Sequence, residues 1–483
     1  MMLPRAGMET KSGMDGIAAD ICVIGGGSGG LSVAAGAAQM GARTVLIEKG
    51  LMGGDCLNFG CVPSKALLAA AHAAAGIGHA ARLGVDAGPV AVDFERVCAH
   101  VRATIAAIAP HDSVARFEGL GVTVLQAAAR FTGPDTVEAG GRTVRARRFV
   151  IATGSTPLVP QIPGLDGVPY MTNETIFDCP ALPRHLLVIG GGPVGIELAQ
   201  AFGRLGSRVT VLQGTTILPR DDAELVAVVR DRLLAEGMAI HEGARAATVA
   251  MDGEEIVVTT ADGVRVAGSH LLVAAGRRPT VAGLDLERAG IAFSAGGIAV
   301  DRRLRTGNRR IFALGDVIGG YQFTHMAGYQ AGIVLRNALF RWPARACDRA
   351  VPWATYTEPE LAQVGLSEAT ARAQGREVRV LRATMADNDR ARAEGRTEGL
   401  VKIVTDRRGR VLGAGIAAAH AGELIQPWIL AVGRGLGIGA MAGMIAPYPT
   451  LGEAGRRAAG SFFTPTLYGR RTRWLVRLLQ RLG

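Results

Sequence analysis

Asp20-Ile-Cys-Val-Ile-Gly25-Gly-Gly-Ser-Gly-Gly30 joins a short apolar strand, residues 20–24, to a glycine run. An Ala-rich helix and a second strand, residues 43–48, follow and end on the acid Glu48. This is the dinucleotide fingerprint in its strand–turn–helix context. Gly25 makes the turn, Gly27 admits the pyrophosphate, Gly30 lets helix and strand approach, and Glu48 meets a ribose hydroxyl. The helix N-terminus favours the phosphates. The pattern recurs: residues 186–189 read as a strand, Gly190-Gly191-Gly192-Pro193-Val194-Gly195 as a second fingerprint, and residues 208–213 as its second strand, ending on Gln213. One fingerprint is a weak signal. Two in context point to two dinucleotides bound in tandem, against the alternative of one site and one decayed copy.

Each unit is followed by an apolar strand closing in a small-residue turn, at 149–154 and at 271–277; a third such run, residues 310–316, ends in Gly315-Asp316. Thr153, Gly154 and Gly276 are further cofactor-binding candidates, with Gly54. From about Val351 strands (378–383, 399–405, 410–417) alternate with helices (367–374, 422–434), which suits an α+β domain. Between the fingerprints lies Gly53-Gly-Asp-Cys56-Leu-Asn-Phe-Gly-Cys61-Val-Pro-Ser-Lys65. Cys56 and Cys61 are expected to open one helix that runs on through Lys65, with Pro63 in its first turn, where a missing N–H costs nothing. A helix N-terminus stabilises a thiolate. A structural zinc site would need a second ligand pair, and none is present, so no metal site is expected. Cys22, Cys98, Cys179 and Cys347 read as buried structural thiols.

At this run the chain resembles the pyridine nucleotide–disulfide oxidoreductases, over roughly residues 18–465. The resemblance implies an α/β fold: two Rossmann-like dinucleotide-binding domains in tandem plus a C-terminal α+β dimerisation domain. The expected division is an N-terminal tail (1–17), an FAD-binding domain in two parts (18–156 and 277–348) around an NAD(P)-binding domain (157–276), a dimerisation domain (349–466) and a basic C-terminal helix (467–483). It implies a homodimer carrying FAD and using NADPH or NADH. Cys61 would lie against the flavin, Cys56 would face the acceptor, Lys65 would sit near the flavin and pair with Glu197, and Asp316 would bind the ribityl chain.

The chain departs from that family at Ala446-Pro447-Tyr448-Pro449-Thr450-Leu451-Gly452-Glu453. Glu453 is kept, but Tyr448 stands where most members carry a proton-shuttling His. A phenol of pKa about 10 is a poor base near neutrality, where an imidazole near about 6.5 is matched to the task. Efficient dihydrolipoamide or glutathione chemistry is therefore not expected. Mercuric reductases resemble the chain more closely here, since they carry Tyr at this place and a soft cation needs thiolates and little proton shuttling. That branch also receives its metal on a vicinal Cys pair near the C-terminus and can carry an N-terminal Cys-x-x-Cys domain. Here no Cys follows Cys347, and no such N-terminal domain is expected. The acceptor stays open among a soft metal ion, an activated disulfide and a quinone-like compound. Two other readings are a dihydrolipoamide dehydrogenase proper and a non-catalytic redox-sensing flavoprotein; the intact Cys pair and Lys65 weigh against the latter. With no acid at Gln213 the coenzyme reading leans to NADPH; no Arg follows immediately to grip the 2′-phosphate, and Arg220 is the nearest candidate.

Composition bounds the rest. The 483 residues exceed one core. The formal charge of +11 reflects an Arg-rich chain whose lysines are Lys11, Lys49, Lys65 and Lys402; aromatics are 5%, too few for a nucleic-acid face. There is no run of roughly 18 uninterrupted apolar residues and no apolar core of signal-peptide length near the start, so a cytoplasmic enzyme is expected. In the C-terminal stretch, Trp474, Leu475, Leu478, Leu479 and Leu482 recur at helical spacing, with Arg470, Arg473, Arg477 and Arg481 largely opposite. Such a helix suits either peripheral contact with a membrane surface or packing on the dimer.

Overall fold

A computed structural model describes residues 16–481. Most of the expected N-terminal tail, and Leu482 of the C-terminal stripe, lie outside the described residues. The chain forms two compact units. One gathers the chain up to Gly60, Ile105–Thr156 and Arg277–Ala346; the other gathers Cys61–Thr104, Pro157–Gly276 and the chain from Cys347.

In the first unit, strand Gly16–Ile24, helix Ser28–Gln39 and strand Thr44–Glu48 form a parallel βαβ. Strands Val122–Gln126 and Arg142–Ile151 extend the sheet on either side, and Ile311–Ala313 pairs with the latter. Side chains alternate faces along each strand, so Ile21, Val23, Leu46 and Val150 enter one core while Cys22, Ile24, Ile47 and Ile151 enter the other. Both faces are covered, which accounts for the continuous apolar runs. Ile24 stands in register with Ile151, and Ile151 with Ala313. The segments that follow, carrying Gly25, Thr153 and Asp316, therefore leave the sheet at one edge.

The second unit repeats the device. Ala239–Glu242, Arg208–Gln213, His185–Ile189 and His270–Val273 form a parallel sheet in that order, with helix Pro193–Leu205 after the fingerprint. A five-stranded antiparallel sheet, with outer strands Pro352–Thr355 and Val378–Thr384, carries the C-terminal domain. Helices Gln426–Arg434 and Glu453–Ser461 cover it through Trp428, Val432, Ala454 and Ala458. Helix Cys61–Ala80 packs on Pro193–Leu205, and Phe94 meets Phe202 at 5.9 Å. Residues 61–104 thus cluster with the second unit.

The structure corrects four expectations. Cys56 and Cys61 do not share a helix: Cys56 lies in the short helix Gly54–Asn58, and Cys61 begins Cys61–Ala80. Phe59 leaves helical geometry at φ −138°, and Gly60 packs where a Cβ would stand 2.8 Å from the Asp55 carboxylate. The expected helix 422–434 is two, Ala421–Leu424 and Gln426–Arg434, because Pro427 lacks the N–H that would continue the first. Strands Pro352–Thr355 and Glu360–Gly365 are additional to those read from the sequence. Cys347 is exposed, in a stretch without regular structure, whereas Cys22, Cys98 and Cys179 are buried as expected.

Candidate active site

The first fingerprint fits a dinucleotide. Gly25 has φ +110°, and a Cβ there would stand 2.3 Å from the carbonyl oxygen of Ala152. A Cβ on Gly30 would stand 1.9 Å from the oxygen of Gly25, whereas one on Gly27 would meet only Gly54 Cα, at 3.8 Å. The two flanking positions are closed to side chains by the backbone, and the middle one leaves the helix N-terminus open to a ligand. Glu48 accepts from Gly26 N at 2.5 Å and Gly50 N at 2.6 Å, which fixes its carboxylate at the end of the second strand. Gly53 N donates to Gly26 O at 2.9 Å, folding the residues before Cys56 back onto the fingerprint beside Gly54.

At the same sheet edge lies a half-buried polar group. Asp316 accepts from Ser155 Oγ at 2.6 Å, and burial holds its carboxyl above the usual range against the opposing effects of Ser155 and Arg277. Arg277 donates to Ser155 Oγ at 2.7 Å and to Ser155 O at 2.9 Å, and lies 3.0 Å from Asp55 and 3.9 Å from Asp316. It therefore ties the residue before Cys56 to the carboxylate expected on the flavin's side chain. Thr153 donates its hydroxyl to Thr280 O at 2.7 Å, and Thr280 N donates to Gly154 O at 2.9 Å.

The second fingerprint repeats the geometry. Gly190 has φ +116°, a Cβ on Gly195 would stand 2.0 Å from Gly190 O, and one on Gly192 would meet nothing. Gln213 takes the place of Glu48: its Oε1 accepts from Gly191 N at 2.8 Å and its Nε2 donates to Thr215 Oγ1 at 2.9 Å. Gly276, at φ +133°, accepts from Leu158 N at 2.9 Å.

Cys56 is half-buried in the first unit, and Cys61 is exposed at the start of its helix in the second. One turn on from Cys61, Lys65 Nζ lies 2.6 Å from Glu197 Oε2. Glu197 is buried on the fingerprint helix, and its other oxygen accepts from Tyr356 N at 2.9 Å. The Tyr356 ring lies under the ammonium, 4.5 Å from centroid to Nζ. Burial pushes the Tyr356 phenol up, with Lys65 opposing. The cluster joins the Cys61 helix, the fingerprint helix and the entry to the C-terminal sheet.

Tyr448 is 71% exposed and donates its hydroxyl to Asp389 Oδ2 at 3.0 Å. That hydrogen bond and the carboxylate's charge raise the phenol's pKa. Glu453 begins helix Glu453–Ser461, 3.6 Å from Arg456. Tyr448, Glu453, Asp389, Asn388, Arg456 and Arg457 line a cavity of about 130 Å³. Among the described residues no group of three or more His, Cys, Asp or Glu is placed to hold a metal ion.

Sequence reasoning missed Asp389, Tyr356, Ser155 and the central place of Arg277. Only Arg277 had a local signal, standing directly after the Gly276 turn.

Comparison with known proteins agrees with this geometry. The family described as "Pyridine nucleotide-disulphide oxidoreductase" matches residues 19–331, and its dimerisation domain matches 351–459. A mercuric reductase of Streptomyces lividans is 37% identical over 454 residues, covering 92% of this chain and 96% of the relative. A dihydrolipoyl dehydrogenase of Thermus scotoductus is 36% identical over 461 residues, covering 91% and 96%. Among solved structures, LpdA from Mycobacterium tuberculosis superposes with a TM-score of 0.84 at 30% identity, covering 92% of this chain and 99% of LpdA. The Cu(II) complex of the HOCl-induced flavoprotein disulfide reductase RclA from Escherichia coli gives 0.82 at 29%, covering 91% and 99%.

Proposed function

The chain belongs to the pyridine nucleotide–disulphide oxidoreductase family and is an FAD-containing, NAD(P)H-dependent oxidoreductase, and on that premise we propose that it passes electrons from NAD(P)H by way of FAD to a Cys56–Cys61 disulfide and on to a soft metal ion or a disulfide-type acceptor. The matched dimerisation domain supports a homodimer. The observation that carries the proposal is the Lys65–Glu197 pair at 2.6 Å. It fixes a cation one turn after Cys61 and ties that helix to the one that opens the coenzyme fingerprint.

Each side chain has a role in this reading. The fingerprint glycines and Glu48 would hold the FAD pyrophosphate and ribose, and Asp316, placed by Ser155 and Arg277, its ribityl hydroxyls. Bound there, the flavin supplies hydride acceptance and electron transfer to sulfur. Lys65 favours negative charge beside the Cys61 helix. Cys56, half-buried, takes the acceptor.

Two observations favour a metal ion over a disulfide. The Tyr448 hydroxyl is a donor held by Asp389, so it does not serve as a base near neutral pH. One relative is named mercuric reductase and one solved neighbour is a Cu(II) complex. A second reading, a dihydrolipoamide dehydrogenase, rests on the Thermus relative. NADPH and NADH oxidation with Hg(II) or Cu(II) in excess thiol, with lipoamide and with glutathione disulfide tests the choice. Metal-dependent oxidation abolished in both Cys56→Ser and Cys61→Ser supports the first reading. A dominant lipoamide rate in the unaltered protein selects the second.

The tail is proposed to hold a cytoplasmic enzyme against an anionic membrane surface. Helix Arg470–Leu479 buries none of its residues, and Trp474, at 65% exposure, stands with Leu475, Leu478 and Leu479 on an uncovered stripe. Residues 470–481 hold five arginines and no acid. Anionic lipid matches both features, at about 1 kcal/mol per basic residue near the surface. No described helix is long and apolar enough to cross a membrane. Sedimentation with phosphatidylglycerol vesicles at low salt should be lost in a chain ending at Leu467. Equal sedimentation of the two removes the membrane role, and loss of self-association on truncation assigns the helix to the dimer.

A further inference from the structure

We infer that Arg245 receives the 2′-phosphate of NADPH and gives the enzyme its preference for that coenzyme over NADH. The inference deepens the proposed function on its coenzyme side and is independent of the acceptor. It starts from the ribose end of the second fingerprint. Gln213 ends strand Arg208–Gln213 and binds Gly191 N as Glu48 binds Gly26 N, which marks the place where the adenosine ribose lies. Gln213 carries no charge, so nothing there repels a 2′-phosphate.

The residue after Gln213 is Gly214. A Cβ on Gly214 would stand 3.6 Å from Arg245 Cβ and 3.9 Å from both its Cα and Cγ. The side chain of Arg245 therefore starts directly beside Gly214, where a side chain at 214 would pack against it. Two backbone hydrogen bonds fix this approach. Ala244 N donates to Gln213 O at 2.9 Å, and Gly243 N donates to Thr215 O at 2.9 Å. The arginine thus comes from the loop after the next strand of the sheet, Ala239–Glu242, 32 residues further along the chain, which is why no motif shows it.

The charges around Arg245 leave it available. It is exposed and enters no salt bridge among the described residues. The nearest acid in sequence is Glu242, whose Oε1 is taken by Arg230 at 2.7 Å and by Ile217 N at 2.7 Å. Asp262 accepts from the Thr260 hydroxyl. Arg220, the first cation after Gln213 in sequence, lies two residues beyond Leu218, whose N donates to Gly191 O, and its charge acts on the half-buried Asp221. A guanidinium presents a planar fork matched to phosphate oxygens. With Gly214 below it, Arg245 has room to lay that fork over the ribose edge.

The test uses the FAD-loaded enzyme. Calorimetry compares 2′,5′-ADP with 5′-ADP, and anaerobic stopped flow compares flavin reduction by NADPH and NADH, so no acceptor enters either measurement. Arg245→Gln should lower the 2′,5′-ADP to 5′-ADP affinity ratio by about 10- to 100-fold, the range for losing a charged hydrogen-bond partner. The NADPH to NADH ratio of reduction rates at low coenzyme should fall by the same factor. Arg245→Lys should fall between, and Arg220→Gln should leave both ratios near those of the unaltered protein. Ratios within twofold of the unaltered protein in Arg245→Gln, or a collapse in Arg220→Gln instead, overturn the inference. So does an unaltered enzyme that binds 5′-ADP as tightly as 2′,5′-ADP.

Discussion

Replacing Tyr448 by His should create a dithiol-oxidising activity that the present side chain withholds. Oxidation of dihydrolipoamide needs a base to take the proton of the attacking thiol. The Tyr448 phenol has an ordinary pKa of about 10, and its hydrogen bond to Asp389 at 3.0 Å moves that value further up. At pH 7 fewer than about 1 in 1,000 such phenols is ionised, whereas an imidazole near about 6.5 is roughly three-quarters neutral. Asp389 would raise the imidazole's pKa, leaving nearer half neutral, so the population of usable base rises by roughly 500-fold. Phenolate is intrinsically the stronger base, which offsets part of this and leaves about 10- to 100-fold. Asp389 would also accept from one imidazole nitrogen and so present the other as the base. The assay is kcat/KM for dihydrolipoamide between about pH 6 and 8. Tyr448→His should gain a limb that rises with pH through the imidazole's pKa, and Tyr448→Phe should gain nothing. A Tyr448→His rate within twofold of the unaltered enzyme, or an equal gain in Tyr448→Phe, refutes the reasoning.

Three further outcomes follow from the geometry. Glu197→Ala strands Lys65 and leaves Tyr356 N without its acceptor; with Lys65 still 38% exposed, the loss in urea unfolding should be about 2 kcal/mol, at the screened end of the range for a broken pair, and a loss under about 0.5 kcal/mol would show the pair to be incidental. Burial pushes Asp221 up from 3.8 to about 6. The folded state therefore binds this proton more tightly than the unfolded state, and stability present below the lower value is lost as pH rises through the higher one. That loss is at most about 3 kcal/mol, and Asp221→Asn should flatten melting temperature against pH across this window; parallel curves for the two proteins would contradict it. Gln213→Glu should lower the NADPH to NADH ratio by placing a carboxylate at the ribose, and an unchanged ratio would remove Gln213 from that site.

Local chemistry made much of this protein readable. Gly25 and Gly190 are legible because their backbone conformation and the carbonyls of Ala152 and Ala274 exclude a side chain. Glu48 and Gln213 are legible because strand length fixes where the second strand ends. The pairing of Lys65 with Glu197 came from the family's pattern, and the structure places the two side chains together. Tertiary pairing carries no such mark. Asp389 lies 59 residues from Tyr448, Arg277 is 122 residues from Ser155, and Tyr356 is 159 from Glu197. Helix boundaries failed where single residues decide them, as at Phe59-Gly60 and Pro427. The edge strand Pro352–Thr355 is too short to show a period.

The central claim is that the Cys56–Cys61 pair stores electrons delivered through the flavin. Anaerobic titration of the FAD-loaded enzyme with NADPH, followed by absorbance, counts them. The unaltered protein should take up two hydrides per flavin, one for the ring and one that opens the disulfide to two thiols. Cys56→Ser and Cys61→Ser should each take up one. Uptake of a single hydride by the unaltered protein, or of two by either variant, would contradict the account.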